Sequence, residues 1–149
     1  MDSFKHIVRE IYEPLTSGIA IPVLLKERED SEELIIPAQH ENGFDISLEC
    51  YEYGIYASSS VGWHGSCWDR TVIEREEAKE LVSEFIESIL NNAVLEVYYS
   101  NGKLYKSRLN FQSEGSEATE EMTLVFFNWF GKKTKRRLCN GELQSNKSG

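Results

Sequence analysis

The sequence predicts an α+β fold, with one antiparallel sheet of about five to six strands and helices packed on one face. One long segment, residues 74–91, has the apolar spacing of a helix, and several short segments alternate apolar and polar residues. The regular strand-helix alternation of a parallel sheet is missing. We therefore expect the helix at 74–91 and a short N-terminal helix to share one face of a single sheet.

The helix at 74–91 is the clearest element of the pattern. Its apolar residues recur at intervals of three and four, at Ala78, Leu81, Val82, Phe85, Ile86, Ile89 and Leu90. Glutamates occupy the other face, at positions 76, 77, 80, 84 and 87, and a solvated surface is the simplest interpretation of them. The N-terminal helix, which contains Phe4, Ile7, Val8 and Ile11, is expected to end before Pro14.

Turn signals and alternation predict the strands. A hairpin is expected from residues 44–50 and 55–61, and a second from 93–99 and 103–111, joined through Asn101-Gly102. Weaker signals predict a strand at 19–25 and an aromatic strand at 122–130. The charged segment 26–33 and the polar segment 112–120 are expected to be loops.

Charge is distributed unevenly over the 149 residues, whose net charge is −9. All but one of the 25 acidic residues precede position 132, whereas six of the 16 lysines and arginines follow position 131. The prediction is one α+β domain at 1–131 and a basic, disordered tail at 132–149. Such an acidic body disfavours nucleic-acid binding and favours a basic protein partner, although acidity also serves solubility.

The sequence also gives expectations about location and redox state. It contains no apolar run of roughly 18–20 residues that could span a membrane, and its first residues form no signal-peptide core. We therefore expect a cytoplasmic protein without a membrane partner. Cys50, Cys67 and Cys139 have no close pairing, so reduced thiols are the simplest expectation.

The segment 62–69 concentrates chemically informative residues. It contains Trp63, His64, Cys67, Trp68 and Asp69. Tryptophans are favoured binding anchors, but they also fold onto a core, with the histidine in a structural role. Two chemical alternatives are a thiolate pair of the histidine and cysteine oriented by the aspartate, and a zinc site completed by Cys139, His40 or His6.

Neither chemical alternative has a recognised sequence signature. The ligand spacings of the zinc site are unsupported, and phosphate-binding loops, zinc-protease motifs and the α/β-hydrolase elbow are absent from the sequence. We therefore expect no enzyme activity, no catalytic residue, no cofactor and no metal.

A short pattern over residues 44–110 resembles small bacterial proteins encoded beside polymorphic or contact-dependent toxins. The pattern is a strand, Gly62-Trp63-His64, an aspartate at 69, a glutamate-rich helix and the hairpin from Leu95 to Leu109. Those proteins usually have an aromatic-aspartate pair or a second histidine where this chain has Ser66-Cys67-Trp68-Asp69.

The resemblance implies an immunity protein that binds and neutralises a cognate, basic toxin domain. Its expected contacts form an acidic, aromatic-containing surface made of Trp63, His64, Trp68, Asp69, Glu76, Glu77, Glu80 and Glu84. Two other classes stay open. One is a small-molecule-binding domain or small enzyme using the segment Trp63 to Asp69, and the other is a structural subunit that associates through Leu124 to Phe130.

Overall fold

Two helices and two antiparallel sheets form the part of the chain that this computed structural model describes, residues 3–16, 23–91, 93–113, 116–123 and 132–140. The helices are α1 (Ile7–Thr16) and α2 (Arg75–Ile89). Sheet 1 has the strand order β1 (Leu24–Glu27), β2 (Ser31–Ile36), β3 (Ile46–Tyr51), β4 (Gly54–Ser58), β5 (His64–Asp69). Sheet 2 has the order β8 (Ser116–Thr123), β7 (Lys103–Ser113), β6 (Val94–Ser100), β9 (Lys133–Cys139).

The α+β class and the antiparallel pairing are confirmed, but the strands are divided between two sheets. The long helix α2 follows β5 and precedes β6, so the chain leaves sheet 1 through a helix and begins sheet 2 after it. Every strand pair in the described ranges is antiparallel. The strands before and after α2 thus belong to different sheets.

Alternating burial makes one face of sheet 1 part of the core. In β3, residues Ile46, Leu48 and Cys50 are buried and the residues between them are partly exposed. The helices lie on this same face, since the Cys50 thiol donates a hydrogen bond to the carbonyl of Phe4 and α2 packs Phe85 against the indole of Trp68. The predicted hairpin of β3 and β4 is therefore confirmed, with the helices on the core side.

Sheet 2 is centred on the hairpin of β6 and β7. Its turn residues Asn101 and Gly102 have φ angles of 52° and 80°, the left-handed conformation that the Asn-Gly pair was expected to adopt. The apolar face of the sheet is fully buried at Leu95, Val97, Leu109 and Leu138. The predicted hairpin at this position is confirmed.

Two predictions about the helices are corrected. Helix α1 does not end before Pro14 but continues to Thr16. A proline removes the hydrogen bond of its own nitrogen, and here only two helical residues follow it, so the loss is confined to the last turn. Helix α2 is confirmed, but Leu81 lies at the margin of its apolar stripe and its side chain is 36% exposed.

Loops were expected at 26–33 and 112–120, but much of both segments is strand. Residues 26–27 and 31–33 belong to β1 and β2, with a turn at 28–30, and residues 112–113 and 116–120 belong to β7 and β8, with 114–115 outside the described residues. Ser31 to Glu33 belong to β2, in which Glu32 is only 1% exposed. The side chains of His6, which precedes α1, and of Arg9 on α1 bind the Glu32 carboxylate, and the Arg9 guanidinium compensates this buried charge. Strand β8 pairs with β7 through backbone hydrogen bonds, which require no apolar side chains. Of the strands predicted at 19–25 and 122–130, residues 19–22 and 124–130 lie outside the described residues.

The prediction of a disordered tail is wrong for Lys133–Cys139. These residues form β9, which pairs with β6 over seven positions and buries Leu138 completely. Their lysines and arginines are exposed, as is common on a strand at the edge of a sheet, where charge discourages further pairing. The basic strand is therefore part of the fold, and residues 141–149 lie outside the described residues.

The described helices include none that could cross a membrane.

Candidate partner-binding surface

The two tryptophans predicted as partner contacts are buried. Trp63 has no exposed surface, and its ring stacks on Phe85 with a centroid separation of 6.3 Å and an interplanar angle of 9°. Trp68 is 9% exposed and meets Phe85 edge-on at 5.5 Å. A Cβ atom at Gly65 would lie 1.7 Å from the Trp63 ring, so the glycine provides the space for this indole. Both tryptophans anchor α2 to sheet 1, and the prediction that they are contacts is corrected.

The segment that carries the predicted chemistry is strand β5. In the pairing with β4, Cys67 lies opposite Tyr56 and His64 lies opposite Ser58, with a β-bulge between them, and among the described residues no hydrogen bond joins the imidazole to the thiol. Burial and the charge of Asp69 raise the pKa of the Cys67 thiol, although the residue is exposed. A thiol with a raised pKa and no hydrogen-bonded base among the described residues is a poor nucleophile, so this arrangement gives no support to the enzymatic alternative.

Asp69 has a local structural role. Its carboxylate accepts hydrogen bonds from the backbone nitrogen and the hydroxyl of Thr71, at 2.8 and 2.7 Å. These two donors lower the pKa of Asp69, the backbone nitrogen having the larger effect. The residue closes the turn between β5 and α2, while its side chain stays partly exposed.

The exposed side of α2 is strongly acidic. Its four predicted contact residues, Glu76, Glu77, Glu80 and Glu84, are all exposed. The cations of α2, Arg75 and Lys79, turn toward Glu10 of α1, and the hydrogen bond from Arg75 is the main cause of a lowered Glu10 pKa.

The negative charge of this side is therefore largely uncompensated. Among the described residues, Glu77, Glu80 and Glu84 have no ion-pair partner, and Glu76 only approaches Arg75 at 3.6 Å. We call the exposed glutamates 76, 77, 80, 84 and 87, together with Leu81, the acidic helix face.

Leu81 supplies an apolar centre to the acidic helix face. It lies four residues after Glu77 and three before Glu84, which places these side chains next to one another on the helix surface. Interfaces commonly combine an apolar centre with a polar rim. Sequence reasoning missed this residue because its spacing also fits the buried stripe.

A second exposed cluster was not predicted. Tyr51, Tyr53 and Tyr56 lie around the turn between β3 and β4, with ring centroids 5.4 to 6.2 Å apart. We call these three residues the tyrosine patch. Tyr56 pairs with Cys67, whereas its neighbour Ile55 pairs with the buried Trp68, so the patch lies on the face of sheet 1 opposite the helices. Three tyrosines within six residues were the available sequence signal.

Neither the concavity at the start of α2 nor any metal-ligating group among the described residues lies at 63–69. A surface concavity of about 530 Å³ lies at the start of α2, and the described residues that line it are Phe4 and 70–76. The segment 63–69 is therefore not among them. The ranges that the structure describes contain no group of three or more histidine, cysteine, aspartate or glutamate residues that could hold a metal ion.

Comparisons with family models, curated proteins and solved structures found no match to this chain. Inference about its role therefore depends on the fold and on these surfaces.

Proposed function

We propose that this chain is a non-catalytic bacterial immunity protein that binds and neutralises a cognate toxin domain. The observation that carries the proposal is the acidic helix face, which presents uncompensated glutamates around the exposed Leu81. As an immunity protein, it would act in the cytoplasm and bind the toxin domain itself, without contacting nucleic acid.

Electrostatics supports a basic partner. A rigid helix that holds several like charges creates a local negative potential, which accelerates encounter with a positively charged surface. Many toxin domains that act on nucleic acid need a basic cleft to hold phosphates, so such a cleft is a chemically matched target. The buried tryptophans contribute indirectly, because they fix α2 on sheet 1 and keep the helix rigid.

The first test identifies the partner and measures its association. The chain is used as bait in the native host, and a recovered polypeptide is identified, purified and assayed for toxicity with and without this chain. We expect the double substitution Glu80→Lys/Glu84→Lys to slow association about tenfold at low salt, with a smaller effect at high salt. Stopped-flow kinetics at several salt concentrations measures this change.

The matched control changes net charge equally at another surface. Glu29→Lys/Glu41→Lys reverses two exposed glutamates outside α2 and should slow association much less. Equal slowing by both double variants would show that only net charge matters, and an unchanged rate in the helix variant would contradict the proposed contact surface. A recovered partner whose toxicity persists in the complex would contradict the inhibitor function.

A further inference from the structure

Two groups of neighbouring tyrosines occur in the described residues, and their surroundings differ in charge. On sheet 2, the Tyr98 ring has Lys106 and Lys135 of the same chain over it, with nitrogen-to-centroid distances of 5.1 and 5.6 Å. The tyrosine patch on sheet 1 has no lysine or arginine over its rings in the part of the chain that the structure describes. The electron-rich faces of the patch therefore lack the cations that Tyr98 already has.

Carboxylates surround the patch. The Tyr51 hydroxyl donates a hydrogen bond of 2.6 Å to Glu49, and this bond, together with burial and the charges of Glu49 and Asp30, raises the pKa of Tyr51 to about 12. The pKa of Tyr56 is raised by burial and by neighbours that include Asp69. The carboxylates of Glu49, which accepts a hydrogen bond from the Tyr51 hydroxyl, and of Asp69 place negative charge beside the patch, and this charge favours a bound cation.

The patch is accessible enough to bind a side chain. Tyr53 is 50% exposed and Tyr56 is 37% exposed, and both are on the sheet face that the helices leave open. The rings are too close together to enclose a cation between them, because their centroids are at most 6.2 Å apart. A flat cation that stacks on the outer ring faces fits this arrangement better than a compact ammonium group.

We propose that the tyrosine patch is a second interaction surface, which binds an arginine-bearing cationic segment of a protein partner. The guanidinium group stacks on the exposed rings of Tyr53 and Tyr56, and its N–H groups are available to the carboxylates at the rim. This surface lies on the opposite side of sheet 1 from the acidic helix face. It goes beyond the toxin contact and does not depend on the partner being a toxin.

The test uses the full chain with ¹³C-labelled tyrosine rings and a short peptide of alternating arginine and glycine. We expect saturable shifts of the ring signals of Tyr51, Tyr53 and Tyr56 that weaken with salt. A peptide with citrulline in place of arginine keeps the shape but lacks the charge, and should not bind. A third peptide, with lysine in place of arginine, should bind more weakly than the arginine peptide.

Variants separate this surface from the acidic helix face. Tyr53→Ala/Tyr56→Ala should weaken arginine-peptide binding about fivefold or more, while Tyr53→Phe keeps the ring and retains binding. Glu80→Lys/Glu84→Lys should leave the ring shifts unchanged. Equal binding of the citrulline peptide, or unchanged affinity in the double alanine variant with its fold intact, would overturn the proposal. Either result would leave the proposed toxin contact through α2 standing.

Discussion

At the scale of single residues, Asn140 fastens the chain beyond β9 to the loop that precedes β3. Its side-chain oxygen accepts hydrogen bonds from the backbone nitrogens of Phe44 and Gln39, at 3.0 and 3.2 Å, and its amide donates to the Phe44 carbonyl at 2.6 Å. Gly43 makes room for this side chain, since a Cβ atom there would lie 2.1 Å from the Asn140 oxygen. A buried amide with all these partners is a specific structural contact.

We predict that Asn140→Ala lowers the free energy of unfolding by about 1–3 kcal/mol, because it leaves buried backbone groups of Phe44 without partners. Urea unfolding monitored by tryptophan fluorescence measures the change. The control is Gln39→Ala, whose side chain donates to the nearby Pro37 carbonyl and should change stability by less than about 0.5 kcal/mol. Similar losses in both variants would contradict a special role for Asn140.

At the scale of elements, sheet 2 depends on the pairing of β6 with the basic strand β9. Besides the backbone ladder, the Glu96 carboxylate lies 2.6 Å from the Lys135 ammonium and accepts a hydrogen bond of 3.1 Å from Asn110 on β7. The hydrogen bond from Lys135 is the main cause of the lowered pKa of Glu96. One carboxylate thus connects three neighbouring strands.

The lowered pKa of Glu96 predicts a pH-dependent stability. The folded protein holds the carboxylate ionised more strongly than the unfolded chain does, so its stabilising effect is present above the ordinary pKa of 4.5 and disappears as the pH falls through the lowered value. We expect Glu96→Gln to cost about 1 kcal/mol or less at neutral pH, and the difference from the parent to vanish in acid.

Urea unfolding at a series of pH values tests this expectation. Glu52→Gln is the control, because the Glu52 carboxylate is 68% exposed and its contact with Arg70, at 3.6 Å, is longer than that of Glu96 with Lys135. If the difference in free energy of unfolding between the parent and Glu96→Gln stays constant from neutral to acidic pH, the ionic contribution is contradicted.

At the scale of the whole molecule, the end of the described chain is required to complete the core. Strand β9 adds a fourth strand to sheet 2, Leu138 is fully buried, and Cys139 donates its backbone N–H to the Asn42 carbonyl at 2.9 Å. These contacts connect the sequence after position 131 with segments near positions 42 and 94. The domain therefore extends at least to Asn140.

We predict that a chain ending at residue 131 loses about 3 kcal/mol or more of stability, since it lacks the burial of Leu138 and the hydrogen bonds of Asn140. A chain ending at residue 140 keeps these contacts and should unfold cooperatively at a higher urea concentration. Circular dichroism during urea unfolding compares the two. Identical midpoints would show that β9 contributes little to the fold.

Much of this architecture could be predicted because it depends on residues close together in the sequence. The apolar spacing of Ala78, Val82 and Phe85 suffices for α2, and alternation over 46–51 suffices for β3. The Asn101-Gly102 pair is enough to predict the turn of the second hairpin, because that turn requires positive φ angles, which Asn and Gly adopt readily whatever surrounds them. The glutamates of the acidic helix face were identified by the same local reasoning.

By itself, the sequence determined the α+β class, the main helix with its acidic side, and the two hairpins, since these follow from local spacing and turn chemistry. Only the tertiary structure decided that Glu32 is buried and that the basic residues 133–139 form a strand, because Arg9 supplies the compensating charge, His6 contributes a hydrogen bond and β6 supplies the pairing. The tertiary structure also decided which aromatic side chains are buried and which are exposed. Trp63 is buried because Phe85 and the space at Gly65 receive it, whereas Tyr53 stays exposed on the face opposite the two described helices.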